Sequence, residues 1–273
     1  MSEVRLAVWG DPIVHSKSPL LHAAAYRALD LDWEYGRRQV NAAGFGTALG
    51  ELDGSWRGLS VTMPLKEQAF RAVAARDRDA ELTGAVNTLL FGDVLRGFNT
   101  DVGGIIDALN ENGIRSVMTA RILGAGATAS SALVAVSEMG ARHIEVRARR
   151  PERAAAIRSL GEKLGVEVSV AAFDDSVAAV DVTIATLPGG TILDDSTVTQ
   201  LGASGGALLD AAYAPWPSAL ASAWQSGPVI SGLDMLLNQA VRQVRVFVYA
   251  DPLRELDDEV RVRDEMRLAV MGD

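Results

Sequence analysis

Two clusters of residues near the middle of the chain have the spacing of a phosphate-handling site. The segment Arg121-Ile122-Leu123-Gly124-Ala125-Gly126-Ala127-Thr128 joins a short apolar run to a helical pattern. Glycine at such a junction lets the backbone turn tightly against a pyrophosphate, whose charge then rests on the helix N-terminus. Gly124, Ala125, Gly126, Ala127 and Thr128 are therefore candidate dinucleotide-binding residues. The match to G-x-G-x-x-G is partial, because Ala129 holds the last glycine position. About twenty residues on, an NAD site usually carries an acidic residue for the ribose 2′-hydroxyl. This chain instead reads Glu145-Val146-Arg147-Ala148-Arg149-Arg150-Pro151-Glu152-Arg153, with five arginines between Arg142 and Arg153. Such a run is ordinarily a solvated basic face, but at this strand end it is placed for a 2′-phosphate. Charge-assisted hydrogen bonds contribute roughly 1.5–3 kcal/mol each. Two of them correspond to a preference for NADP over NAD of about 10² to 10⁴, less where salt screens them. Arg149, Arg150 and Arg153 are the candidates, and the expected cofactor is NADP(H).

The first hundred residues hold four fragments with polar side chains that composition does not demand. They are Gly10-Asp11-Pro12-Ile13-Val14-His15-Ser16-Lys17-Ser18-Pro19, Ser60-Val61-Thr62-Met63-Pro64-Leu65-Lys66, Gly84-Ala85-Val86-Asn87-Thr88 and Gly97-Phe98-Asn99-Thr100-Asp101. Each lies at the end of a predicted strand, the rim where ligands gather in α/β domains.

The elements that must position these groups alternate in type. From about residue 120 the pattern predicts strands at 121–123, 143–148, 166–171, 182–185, 207–212 and 228–230. Helices are expected at 130–139 and from Pro151 to Gly165. This βαβ alternation implies a doubly wound parallel sheet of the Rossmann type with right-handed crossovers. Earlier in the chain, strands are expected at 4–9, 59–62 and 85–91, with helices opening at Ser18-Pro19, over 65–75 and over 102–112. Ser18 there reads as a helix cap followed by proline. The fold class is α/β with two domains. Residues 1–103 form an N-terminal substrate domain, completed by C-terminal helices in 237–273 that return to it, and residues 104–236 form the dinucleotide-binding domain.

Composition narrows the chemistry. The 273 residues include no cysteine, which excludes disulfides, thiolate metal sites and cysteine nucleophiles. His15, His22 and His143 have no zinc-site spacing, so no metal is expected. A net charge of −9 argues against nucleic acid as a partner. The opening MSEVRLAVWGDP shows no signal-peptide pattern, and no apolar run reaches the roughly 18 residues of a membrane span. A soluble cytoplasmic protein, monomer or homodimer, is the expectation.

In these motifs the chain closely resembles the shikimate dehydrogenases. Asp210 to Tyr213 and Gly232-Leu233-Asp234-Met235-Leu236-Leu237-Asn238-Gln239 extend the resemblance over nearly the whole sequence. It implies NADPH-dependent reduction of 3-dehydroshikimate to shikimate, a step toward chorismate and the aromatic amino acids. It also implies that Ser16 and Ser18 bind the substrate carboxylate and that Thr62, Asn87, Asp101 and Gln239 hold ring hydroxyls. Tyr213 is then a further substrate contact, and Lys66 and Asp101 are the catalytic pair. Thr186, Gly232 and Met235 join the cofactor-binding set on the same ground. Ketone reduction puts negative charge on oxygen, so a positioned lysine ammonium suits it. Lys66 is expected in the first turn of a helix after Pro64, where the helix dipole disfavours a cation. A carboxylate such as Asp101 would offset that. The chain departs from the family pattern at Ala23, Ser60, Ala127, Ala148 and Ile184. Two alternatives stay open: a dual quinate/shikimate dehydrogenase, and a non-catalytic NADP-binding sensor on the same fold.

Overall fold

The computed structural model describes residues 4–271, apart from the side chain of Arg153. The chain divides into two units, Met1–Thr100 with Leu237–Asp273, and Asp101–Leu236. No described helix is long and apolar enough to cross a membrane.

The first unit is built on a six-stranded mixed sheet. Its elements are β1 (Val4–Gly10), α1 (Ser18–Ala28), β2 (Trp33–Gln39), α2 (Phe45–Gly50), β3 (Trp56–Val61), α3 (Lys66–Ala72), β4 (Ala75–Arg76), α4 (Arg78–Thr83), β5 (Thr88–Leu90) and β6 (Arg96–Phe98). The strand order is β2-β1-β3-β5-β6-β4. β1 is parallel to β2 and β3, while β5 runs antiparallel to both of its neighbours. Leu6, Ala7, Val8 and Trp9 of β1 are all buried. A strand covered on both faces reads as a continuous apolar run, as this one does.

One local expectation fails here. Ser18 does not cap α1: Lys17 holds the cap position and Ser18 is the first helical residue. The Ser18 N–H, one of the unpaired donors of the first turn, reaches Ser16 Oγ at 3.3 Å. α3 is also shorter than the expected 65–75, because the chain turns extended at Val73.

The second unit carries α5 (Asp101–Glu111), β7 (Thr119–Leu123), α6 (Ala127–Glu138), β8 (His143–Arg147), a 3₁₀ turn (Pro151–Ala154) and α7 (Ala155–Leu164). There follow β9 (Glu167–Ala171), β10 (Val182–Ala185), α8 (Asp195–Ser204), β11 (Ala207–Asp210), α9 (Ala219–Ser222) and β12 (Val229–Ser231). Its sheet has the order β12-β11-β10-β7-β8-β9 with every pairing parallel. The chain thus enters at β7, winds outward through β8 and β9, and restarts at β10 on the other side. Ligands in such sheets bind at the carboxyl ends of the strands flanking that reversal. The glycine loop leaves the end of β7, beside β10.

The last helices are α10 (Gly232–Tyr249) and α11 (Glu259–Met271). From Leu237 onward they belong to the first unit. Arg57 Nε donates to the Phe247 carbonyl at 2.8 Å, and Arg261 Nη2 donates to the Ala28 carbonyl at 2.6 Å. Val244, Phe247, Val262 and Met266 are fully buried there.

Candidate active site

In the first unit the four polar fragments gather at one end of the sheet. The ends of β1, β3 and β6 and the start of antiparallel β5 lie at that edge, and backbone bonds tie their loops together. Thr62 N–H donates to the Trp9 carbonyl at 2.9 Å, and Asp11 N–H donates to the Met63 carbonyl at 3.0 Å. Val61 N–H donates to the Asn87 carbonyl at 2.8 Å, and Asn87 N–H to the Phe98 carbonyl at 3.0 Å. The Lys66 carbonyl accepts from Val86 N–H at 3.0 Å, which sets the start of α3 beside the residue preceding Asn87. Lys66 is half-buried in the first turn of its helix, as expected.

Asn87 is the centre of this group. Its Nδ2 donates to Thr100 Oγ1 at 2.9 Å and lies 3.4 Å from Gln239 Oε1, while its Oδ1 accepts from Thr100 N–H at 3.0 Å. Asn87, Thr100 and Gln239 are all buried. Three residues from three different segments thus form one amide-rich polar cluster at the rim of the sheet. Ser18 is buried nearby in sequence to half-buried Ser16, and Thr62 is half-buried.

Thr100 and Asp77 were not singled out by the sequence. Asp77 accepts from Ala80 N–H at 2.8 Å, capping α4, and from Asn99 N–H at 3.2 Å. One carboxylate therefore anchors both a helix and the loop that carries Thr100. Burial pushes its pKa above the usual carboxylate value. The alternation of Asp77 with a helical pattern at Arg78 was the available signal.

Asp101 opens α5 as a buried residue and begins the second unit. Tyr213, half-buried, follows β11 in that same unit. The expected substrate residues are thus shared out, with Ser16, Ser18, Thr62, Lys66, Asn87 and Gln239 on the first unit and Asp101 and Tyr213 on the second.

In the second unit a cavity of about 460 Å³ is lined by Gly124, Ala125, Ala148, Arg149, Arg150, Phe173, Leu187, Pro188, Thr191, Ile192 and Leu193. It joins the glycine loop to two exposed arginines, and none of its lining residues is acidic. Gly124 has φ +114°, and a Cβ there would stand 2.5 Å from Thr186 Oγ1. Glycine is required at that turn. Thr186 supports it from behind, donating its hydroxyl to the Leu123 carbonyl at 2.9 Å. Gly126 caps α6 without a side-chain bond, and Ala127 and Thr128 form its first turn, leaving backbone N–H groups for an anion. Gly232 starts α10 so close to Ala211 that a Cβ would collide with its carbonyl, and Met235 is buried one turn on. These residues fit a pyrophosphate at the loop and a 2′-phosphate at the arginines. The side chain of Arg153 lies outside the described residues.

The arginine run is not one face. Arg149 and Arg150 are exposed, but Arg147 is fully buried. It donates to the carbonyls of Ala172 (3.1 Å), Phe173 (3.2 Å), Asp175 (2.8 Å) and Ser176 (2.5 Å) and pairs with Glu145. The split falls at the strand end: Arg147 is the last residue of β8 and is enclosed by the carbonyls of 172–176, whereas Arg149 and Arg150 lie beyond the strand in the loop that leads to the 3₁₀ turn.

Comparison with known proteins gives a consistent family. Residues 8–89 match the profile of the shikimate dehydrogenase substrate binding domain. The NADP(+)-dependent shikimate dehydrogenase of Methanothermobacter thermautotrophicus is 34% identical over 257 residues, covering 90% of this chain and 91% of its own. That of Methylobacterium radiotolerans is 33% identical over 293 residues, covering 98% and 97%. Among solved structures, Mycobacterium tuberculosis shikimate dehydrogenase matches with TM-score 0.84 at 38% identity, covering 99% of this chain and 100% of that one. The shikimate 5-dehydrogenase of Thermus thermophilus in complex with NADP(H) and shikimate matches with TM-score 0.79 at 28% identity, covering 97% and 99%.

Proposed function

This chain belongs to the shikimate dehydrogenase family, and we propose that its two units divide one reaction, with substrate groups on the first and cofactor groups on the second. It is an NADP-dependent oxidoreductase that interconverts 3-dehydroshikimate and shikimate in aromatic biosynthesis. The observation that carries the residue assignments is the polar rim of the first sheet, where backbone bonds hold Thr62, Lys66 and Asn87 together.

Ser16 and Ser18, at the start of α1, bind the substrate carboxylate. Asn87, Thr62, Gln239 and Asp101 hold ring hydroxyls, and Tyr213 is a further substrate contact. Gly124 to Thr128 take the pyrophosphate, Arg149, Arg150 and Arg153 the 2′-phosphate, and Thr186, Gly232 and Met235 complete the cofactor surface. When bound, the cofactor supplies the hydride to the ketone carbon in reduction and accepts it in oxidation.

Lys66 meets the charge that develops on the ketone oxygen, first as an ammonium donor and then as the source of its proton. Asp101 is its proposed catalytic partner, a carboxylate of the kind that offsets the cost of a cation at a helix N-terminus. Oxidation runs through the same groups, Lys66 receiving the hydroxyl proton. The proposed partners are small molecules alone, and the chain works in the cytoplasm as a monomer or a homodimer.

The test is stoichiometry. Purified protein given 3-dehydroshikimate and NADPH is expected to form one shikimate, resolved by chromatography, for each NADPH lost at 340 nm. NADPH binding with no shikimate formed would contradict the reading and favour a sensor.

A further inference from the structure

We infer that Gln243 is a positioning residue for substrate recognition, fixing through Thr88 the direction in which the Asn87 amide donates. This rests on the reading of Asn87 as a substrate contact. Gln243, Thr88 and Asn87 are buried, on α10, on β5 and just before β5.

Two backbone groups settle the amide orientations. The Thr100 N–H can only donate, so the Asn87 side-chain atom 3.0 Å from it is Oδ1. The Asn87 main-chain carbonyl can only accept, so the Gln243 atom 3.2 Å from it is Nε2. Gln243 Nε2 also donates to Thr88 Oγ1 at 3.1 Å. With that lone pair engaged, the Thr88 hydroxyl proton turns to Asn87 Oδ1 at 2.8 Å. Two donors then hold the Asn87 oxygen, and its NH₂ faces Thr100 Oγ1 and Gln239 Oε1.

The other end of Gln243 is equally constrained. Its Oε1 accepts from Ser60 Oγ at 2.8 Å, and Ser60 accepts from the Tyr35 hydroxyl at 2.6 Å. His22 Nε2 lies 3.2 Å from the same oxygen and so carries the proton, leaving Nδ1 to accept from the Tyr26 hydroxyl at 3.0 Å. The imidazole stacks on Tyr35 with centroids 4.0 Å apart. Donors therefore run one way along Tyr35, Ser60, Gln243, Thr88 and Asn87. Buried chains of this kind are satisfied in one direction only, since a reversed amide would leave polar groups unpaired. The consequence for specificity is that Asn87 acts as a donor: the substrate oxygen it meets must accept, taking the proton that here faces Gln239 Oε1 at the long distance of 3.4 Å.

The test is steady-state kinetics on Thr88→Val, Gln243→Met and Asn87→Ala, singly and combined. Thr88→Val keeps the shape and deletes only the relay hydroxyl, so it decides the matter if Gln243→Met does not fold. Each relay substitution is expected to raise the KM for shikimate roughly tenfold, with the KM for NADP⁺ unchanged and kcat changed less. In the Asn87→Ala background neither is expected to raise it further, because the relay acts through that amide. If Asn87→Ala weakens shikimate but Thr88→Val does not, or if the two effects multiply, the relay is overturned. If Asn87→Ala itself leaves the shikimate KM unchanged, the Asn87 assignment falls, and the relay falls with it.

Discussion

Arg147 pairs with the carboxylate of Glu145, two residues back on the same strand, and its guanidinium is sealed from solvent. Arg121, directly opposite Glu145 on β7, donates to the same carboxylate at 2.9 Å. The four carbonyls that accept from Arg147 belong to the segment 172–176, which includes Phe173 of the cavity beside the glycine loop. Two arginines separated by one residue in sequence thus have different duties, Arg147 bracing the cavity wall and Arg149 facing into it.

That contrast predicts opposite phenotypes. Arg147→Met removes one partner of a buried ion pair, a class of change that costs about 3–5 kcal/mol, and is expected to lower the thermal midpoint. Arg149→Ala, at an exposed position, is expected to leave the stability within about 0.5 kcal/mol of the parent. It should weaken NADPH at least tenfold while sparing NADH, measured by fluorescence titration of each cofactor. Equal weakening of both cofactors would remove Arg149 from the 2′-phosphate site.

Gly124→Ala tests the turn at the end of β7. The added Cβ meets Thr186 Oγ1 at 2.5 Å in a backbone conformation with φ +114°. Strain of this kind costs on the order of 1–3 kcal/mol, so NADPH affinity is expected to fall by about tenfold or more. A variant binding NADPH like the parent would mean the loop does not shape the pyrophosphate site.

Much of this was legible in the sequence, for identifiable reasons. The second unit's strands are buried and parallel, so Val182–Ala185 and Ala207–Asp210 stand out as apolar runs between polar loops. β2 did not, because WEYGRRQ is an edge strand whose exposed positions carry charge. α8 escaped as well, since DSTVTQLGAS is rich in residues that disfavour helix interiors. The glycine loop was readable from local spacing, whereas Lys66 was singled out only by the resemblance to the family. Arg147 and Gln243 were not, because their partners come from segments far away in the chain.

Lys66→Ala is expected to lower kcat by about 10² to 10⁴, the usual contribution of a positioned proton donor. The KM for shikimate should change far less, because the ammonium acts on charge that develops in the transition state. Initial rates at saturating cofactor separate the two. A kcat equal to the parent's would remove Lys66 from the reaction.

His22 predicts an acid-side loss of stability. Burial lowers its pKa from 6.5 to about 3, with the Gln243 hydrogen bond opposing the shift. The unfolded chain therefore binds a proton below about pH 6.5 that the folded chain refuses until near pH 3. Stability contributed by the neutral imidazole is present above pH 6.5 and falls as pH drops, by about 1.4 kcal/mol per unit. Thermal melts at about pH 7, 6 and 5 should show this slope, and His22→Gln should flatten it. A slope unchanged by His22→Gln would contradict the assignment.

The most direct measurement is the initial rate of cofactor reduction at 340 nm for four pairings, shikimate or quinate with NADP⁺ or NAD⁺. The account predicts turnover with shikimate and NADP⁺, and rates lower by at least an order of magnitude for the other three. Comparable rates with quinate would contradict the substrate assignment. Comparable rates with NAD⁺ would contradict the role given to Arg149 and Arg150.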